Sequence, residues 1–300
     1  MSDAQVLVDA HHHVWDPAAR PQPWLDEPGH EQIRRTFTPH DLRSAATRPI
    51  AGRRLTSTVV VQCIASLPET RDLLSLAVSD PLIGAVVGWA DLTSPAIGDV
   101  LDALRSGPGG RHLRAVRHVV QAEPDPHWLQ RPDVENGLRA VGERGLGYDV
   151  LVRDHQLPQA IRLAERIPEL PLVLDHAGKP PIARYELTDW AQRLRALARH
   201  PQVHCKVSGL VTEADHHKWT IDDIRPVWDA LLTAFGPDRL MFGSDWPVCL
   251  LAGGWNRWAD AVEHLLDGCS PTEIHAVLAG TATAFYRLTP APTKETPPCS

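Results

Sequence analysis

Short apolar, β-rich runs alternate along this chain with longer stretches of helical periodicity, and that alternation restricts the fold more than any other feature. The first run opens at Val6-Leu7-Val8 and continues into His11-His12-His13. Seven more lie at residues 57–63, 82–89, 113–120, 148–152, 172–176, 203–207 and 239–245. Helical periodicity fills 69–79, 97–106, 133–143, 157–167, 188–199 and 221–235, and two closing helices are predicted at 255–266 and 271–279. Eight strand–helix units in about 285 residues are what a closed parallel barrel requires. An open doubly wound sheet is the rival, but it announces itself with a glycine-rich turn after its first strand. Here histidines stand in that place. The expectation is therefore an α/β chain folded as one (β/α)8 TIM-barrel-like domain, regular or distorted, over residues 1–288. Residues 289–300, rich in Pro and Thr, are expected to form a disordered tail.

Composition narrows the function. A formal charge of −7 and the absence of a basic stripe oppose binding to nucleic acid. No apolar run approaches the roughly 20 residues that cross a bilayer, and Met1-Ser2-Asp3-Ala4-Gln5 lacks the features of a secretory signal. The five cysteines are odd in number and scattered, which opposes a disulfide framework and fits a reducing cytoplasm. Ten tryptophans are many for this length, and aromatic walls suit a pocket for sugar rings or flat heterocycles. The connection over residues 17–39 is long enough to lie over a site, with a helix starting at Thr38-Pro39-His40-Asp41-Leu42.

In such a barrel the active site lies at the C-terminal ends of the strands, so the polar residues that close each run are the candidates. Strand alternation puts His11 and His13 on one side with Asp9 behind them, and His12 on the other. Run four ends in Arg117 and His118, run six in His176, run seven in Lys206 and Ser208, and run eight in Asp245. Alternation also turns Asp175 away from His176, which leaves it outside the site. Unpaired buried charges are costly, so so many ionisable strand ends point to an active site. Neutral imidazoles suit zinc or a substrate oxygen.

Four segments, Asp9-Ala10-His11-His12-His13-Val14-Trp15, Leu174-Asp175-His176-Ala177-Gly178-Lys179-Pro180, Cys205-Lys206-Val207-Ser208-Gly209-Leu210 and Phe242-Gly243-Ser244-Asp245-Trp246-Pro247, together resemble the amidohydrolase superfamily. The branch they are most similar to contains sugar lactonases (L-fuconolactonase, L-rhamnonolactonase) and pyrone-dicarboxylate lactonase, and the likeness covers about residues 6 to 288. The resemblance implies hydrolysis of a cyclic ester. It makes Asp245 the general base and sets His11, His13 and His176 either to hold a single divalent ion, such as zinc, together with Asp245, or to polarise the lactone carbonyl directly, with Lys206 as a further aid. Members of this branch work with one metal or none. No lysine closes run four and no histidine closes run five, which opposes a two-metal centre.

The resemblance also places Arg117 against the substrate, with a rim salt bridge as the competing reading. Several residues stay open in the same way. Lys206 serves catalysis or a structural ion pair, and His118 contacts substrate or packs. Trp15, Trp89 and Trp246 wall the pocket or fill the core, and Gln62 is placed to bond substrate hydroxyls. A dicarboxylate needs several arginines as bidentate clamps. None follows Arg117 within His118-Val119-Val120-Gln121-Ala122-Glu123, nor Gly209 within Leu210-Val211-Thr212-Glu213. The expected substrate is thus a neutral sugar lactone, opened to its aldonic acid by a cytoplasmic enzyme with no nucleic-acid or membrane partner and an oligomeric state left open. The rivals are a zinc-dependent decarboxylase of an aromatic acid in the same superfamily and a catalytically silent barrel acting as a binding protein.

Overall fold

The computed structural model describes residues 6–289. Eight parallel strands form one sheet in chain order. They are β1 (Val6–His12), β2 (Arg54–Val61), β3 (Ile83–Gly88), β4 (Leu113–His118), β5 (Gly147–Val150), β6 (Leu172–Leu174), β7 (Val203–Val207) and β8 (Leu240–Phe242). Closure comes from a parallel bridge between His12 and Trp246, with His13 N donating to the Trp246 carbonyl at 2.7 Å and Asp245 N to the His11 carbonyl at 2.8 Å. The predicted barrel is the observed one, and the doubly wound alternative is excluded.

The strands read as near-continuous apolar runs because both of their faces are buried. Val8, Val59, Val61, Ala85, Val87 and Val173 point inward and fill the barrel with small or β-branched groups. The alternating residues Leu7, Val60, Val86 and Val116 face outward and pack against the helices. Those helices are α1 (Pro39–Ala45), α2 (Leu67–Ser79), α3 (Ile97–Ser106), α4 (Pro132–Glu143), α5 (Leu157–Arg166), α6 (Leu187–Ala198), α7 (Ile221–Phe235) and α8 (Gly254–Leu265). Their starts follow local chemistry: Thr38 and Asp41 close a capping box on α1, and Thr220 with Asp223 do so on α7.

Three departures from the predicted elements matter. Strands β6 and β8 end earlier than their apolar runs, because the backbone enters the left-handed region at His176 (φ 51°), Ala177 (φ 53°) and Asp245 (φ 54°). The closing helix predicted at 271–279 is α9 (Pro271–His275), which continues through one wide π-type turn, Ala276–Gly280, into a further helix, α10 (Thr281–Phe285). From that last segment Tyr286 and Leu288 join the inward-facing cluster and plug the barrel. The connection after β1 folds into two 3-10 turns, Pro23–Asp26 and Glu31–Ile33, pinned by the buried Leu25 and Ile33. The tail expected to be disordered lies, from residue 290 onward, outside the described residues. Among those residues no helix is long and apolar enough to cross a membrane, and Cys63, Cys205, Cys249 and Cys269 are free thiols.

Candidate active site

Where β1, β6 and β8 end, four side chains converge on one spot. His11 Nε2 and His13 Nε2 stand 3.2 Å apart. The Asp245 carboxylate lies 3.8 Å from His11 Nε2, 3.6 Å from His13 Nε2 and 3.9 Å from His176 Nε2. His13, His176 and Asp245 form the floor of a cleft of about 490 Å³, and the His11 ring packs against that of His176 with centroids 4.4 Å apart.

The local backbone explains this convergence. The register of β1 against β2 shifts between Asp9 and His12, a bulge that re-aims the side chains beyond it. His12 turns away to Thr58 Oγ1 at 2.9 Å. Asp9, expected behind the imidazoles, instead ties β1 to the chain after β8: its carboxylate accepts from Ser244 N at 2.8 Å, Ser244 Oγ at 2.6 Å and His11 N at 3.1 Å. Burial pushes the Asp9 carboxyl up to about 7, against the pull of the Ser244 donors. The left-handed turns at His176 and Asp245 are strained for residues with a Cβ, and such strain concentrates at functional sites. Opposite them only glycine fits at position 209: a Cβ there, at φ +59°, would stand 2.5 Å from His176 Nδ1 and 3.0 Å from Asp245 Oδ2.

Hydrogen bonds set which ring nitrogens are free. His13 Nδ1 donates to the Val61 carbonyl at 2.7 Å, which leaves its Nε2 lone pair facing the cluster. His176 Nδ1 pairs with Ser208 Oγ at 2.9 Å, so its Nε2 also points at Asp245. Burial lowers the pKa of His176, and burial reinforced by the Lys206 ammonium lowers that of His11 further, so both rings are neutral near pH 7. Burial raises the Asp245 carboxyl, but the His176 and His13 imidazoles outweigh it and hold its pKa below the ordinary carboxylate value. An ionised carboxylate beside neutral imidazoles can take a proton from water.

Directly beneath lies a second, fully buried charge cluster. Lys206, fully buried on β7, bonds to Asp149 Oδ2 at 2.5 Å, Asp175 Oδ1 at 2.9 Å and His11 Nδ1 at 3.0 Å. Tyr286 donates to Asp149 Oδ2 at 2.9 Å, and Arg117 Nη1 to Asp175 Oδ2 at 3.0 Å. Of the two readings left open for Lys206 the ion pair is present, and one expectation, on Asp175, is corrected. Lys206 does not line the cleft; it sits one layer lower and holds carboxylates. Asp175, set aside on strand alternation, reaches the site, with Oδ1 3.3 Å from His11 Nδ1, because β6 has already ended at Leu174 and the alternation rule no longer applies. Burial raises the Asp175 carboxyl, but Lys206, His11 and Arg117 outweigh it and hold it well below the usual range.

The expected substrate contacts divide. Arg117 lines the cleft; its Nη1 is held by Asp175 and its Nη2 by the Gln62 carbonyl, while its buried Nε has no protein acceptor. Gln62 itself is buried behind Arg117, with Nε2 donating to the Arg117 carbonyl at 3.1 Å. His118 is saturated: it accepts from Trp89 Nε1 at 3.1 Å, donates to Glu123 at 2.6 Å and stacks on Trp128. Trp15 and Trp246 are core residues, each in edge contact with Phe37. None of these four lines the cleft.

The walls come from residues the sequence reading did not single out. Trp24, Glu27 and His30 arrive from the connection after β1, which does lie over the site. Gln121, Arg153 and Lys179 follow β4, β5 and β6, and Glu213 and His216 follow β7. Only the length of the first connection signalled them, since loop residues carry no periodicity to read.

A metal ion fits the floor. His11, His13 and Asp245 offer ligand atoms within 4.8 Å of one another, as do His11, Asp175 and His176. The 3.2 Å between the two Nε2 atoms is close to the edge of about 3.3 Å that zinc–nitrogen bonds of about 2.05 Å give in a tetrahedron. His11 Nδ1 faces an acceptor in Asp175 and a donor in Lys206, and the tautomer bonded to Asp175 frees Nε2 as a ligand.

The comparisons with known proteins agree with this geometry. An L-fucono-1,5-lactonase of Burkholderia multivorans is 38% identical over 292 residues, covering 94% of this chain and 96% of the relative. One from Burkholderia ambifaria is 36% identical over 285 residues, covering 94% and 95%. A crystal structure of an amidohydrolase from Burkholderia multivorans with bound zinc, 38% identical, superposes with a TM-score of 0.86 over 95% of this chain and 100% of that one. The amidohydrolase family model matches residues 8–288, and with that span and that barrel the chain belongs to the amidohydrolase family.

Proposed function

We propose that the cleft hydrolyses a neutral sugar lactone, of the L-fucono-1,5-lactone kind that its relatives' names give, to the open-chain aldonic acid. The observation that carries this reading is the meeting of three imidazoles with an ionised carboxylate on the floor of an open cleft. Asp245 takes a proton from water as the water oxygen bonds to the lactone carbonyl carbon. The carbon–oxygen bond to the ring oxygen then breaks, and Asp245 returns the proton to that oxygen, which leaves as a hydroxyl. His176, when its Nδ1 accepts from Ser208 Oγ, turns an Nε2–H toward the developing oxyanion, and the Arg117 guanidinium adds positive charge beside it. A divalent ion, where bound, is held by His11, His13 and His176 with Asp245, and its chemistry is polarisation of the carbonyl. Glu27, Gln121 and His216 offer polar partners for ring hydroxyls, and Trp24 an apolar face for the ring.

Convergence of all four groups argues against a catalytically silent barrel. The deciding assay follows proton release with a pH indicator across a panel of aldonolactones, L-fucono- and L-rhamnono-lactones included. The expected outcome is turnover with kcat/KM of about 10⁴ M⁻¹ s⁻¹ or more on at least one of them. No proton release across the panel, with loss of CO2 from an aromatic acid, would establish the decarboxylase instead.

A further inference from the structure

Hydrolysis of a lactone turns a neutral ligand into an anion, so on the reading above the same cleft must handle two charge states. The new carboxylate forms beside the ionised Asp245, and like charges at such range repel. The cations around the cleft are unequal in their power to receive it. Arg117 is held by Asp175 at 3.0 Å. Lys179 is held by Glu213 at 3.0 Å. Arg153 alone among the arginines and lysines lining the cleft has no anionic partner among the described residues. Its backbone is fixed, since its N–H donates to Gln156 Oε1 at 2.9 Å, while its guanidinium is exposed at the mouth.

A second cavity, of about 570 Å³, opens beside the first and shares Arg153, Lys179 and Glu213 with it. Its other lining includes Arg184 and His155, and each of these already has a carboxylate neighbour: Glu186 at 3.3 Å from Arg184 and Asp154 at 3.6 Å from His155. Arg153 thus stands on the boundary between the hydrolytic cleft and a side chamber, as the free positive charge common to both.

We infer that Arg153 is the anchor of a carboxylate-binding subsite that takes the open-chain sugar acid after ring opening and draws it from the floor toward the second cavity. A guanidinium offers two parallel N–H donors that match a carboxylate, and the match is charge-assisted. A neutral lactone offers it no such partner. The subsite therefore separates product from substrate by charge alone.

The test is calorimetric binding of sodium L-fuconate and of L-fucitol, the uncharged alditol with the same carbon skeleton, to the wild-type protein, Arg153→Ala and Arg153→Lys. Fuconate is expected to bind the wild type about tenfold more tightly than fucitol at low salt, a difference of about 1.4 kcal/mol. Arg153→Ala is expected to abolish that preference while fucitol binding stays the same, and Arg153→Lys to keep part of it. An unchanged fuconate preference in Arg153→Ala, or equal weakening of both ligands, would overturn the subsite. Lactone turnover, measured separately, keeps the two readings apart. A protein that opens lactones but shows no Arg153-dependent preference contradicts only the subsite, and one that prefers fuconate through Arg153 but opens no lactone contradicts only the lactonase.

Discussion

Two layers of the barrel are built from the same chemical groups and do different work. On the cleft floor, His13, His176 and Asp245 line the cleft, the last two at left-handed turns, and keep polar atoms available to a ligand. One layer down, Lys206, Asp149 and Asp175 are fully buried and held in ion pairs, with a phenol on Asp149 and a guanidinium on Asp175. The upper groups can exchange protons with a ligand in the cleft, which the lower ones do not line. Access to the cleft, more than residue type, separates chemistry from scaffold here. His11 belongs to both layers: its Nε2 meets the floor and its Nδ1 meets Lys206 and Asp175.

Substitutions that strike one layer at a time sharpen this contrast. Asp245→Asn is expected to lower turnover by about 10²–10⁴-fold, the range of a general base, with the melting temperature kept. A near-normal rate would remove Asp245 from the mechanism. Lys206→Met, one layer lower, leaves two carboxylates buried without their cation and is expected to cost about 3–5 kcal/mol of stability in a denaturant titration. If it lowered turnover while stability stayed intact, the division between the layers would fail. Gly209→Ala must push aside the His176 ring or the Asp245 carboxylate, at a left-handed position. A loss of about tenfold in kcat/KM, equivalent to about 1.4 kcal/mol, is expected, with little change in overall fold.

The effect of pH is subtler. The pKa values of His11 and His176 are lowered from 6.5 and that of Asp245 from 3.8. Neutral rings and an ionised carboxylate therefore coexist above pH 6.5, and activity is lost only as pH falls through the lowered imidazole values. The acid limb of kcat/KM is expected below pH 6.5; a limb at higher pH would mean that these rings are more exposed or more acid-stabilised than the structure has them. Metal analysis is expected to find one zinc per chain in protein grown with zinc, reduced to a small fraction in His13→Ala; equal content in both would place the metal elsewhere.

Much of this was legible in the residue order. The eight apolar runs identified the barrel, since strands buried on both faces cannot hide their hydrophobicity. His11, His13, His176 and Asp245 were legible because each closes a run, where a barrel puts its chemistry. Alternation misjudged Asp175, because a backbone that turns left-handed at His176 no longer alternates. Asp149 left a faint signal, a lone inward carboxylate within Tyr148-Asp149-Val150 that required a buried cation such as Lys206. The wall residues Trp24, Arg153 and His216 left none, because their positions depend on loop paths set by packing elsewhere.

The most direct measurement is a crystal structure of Asp245→Asn soaked with a lactone that the wild type opens. The expected density has the ring over the floor, its carbonyl carbon facing residue 245 and its carbonyl oxygen toward His11, His13 and His176. A lactone seated elsewhere in the cleft, with its carbonyl turned from those four residues, would contradict the proposed hydrolytic centre.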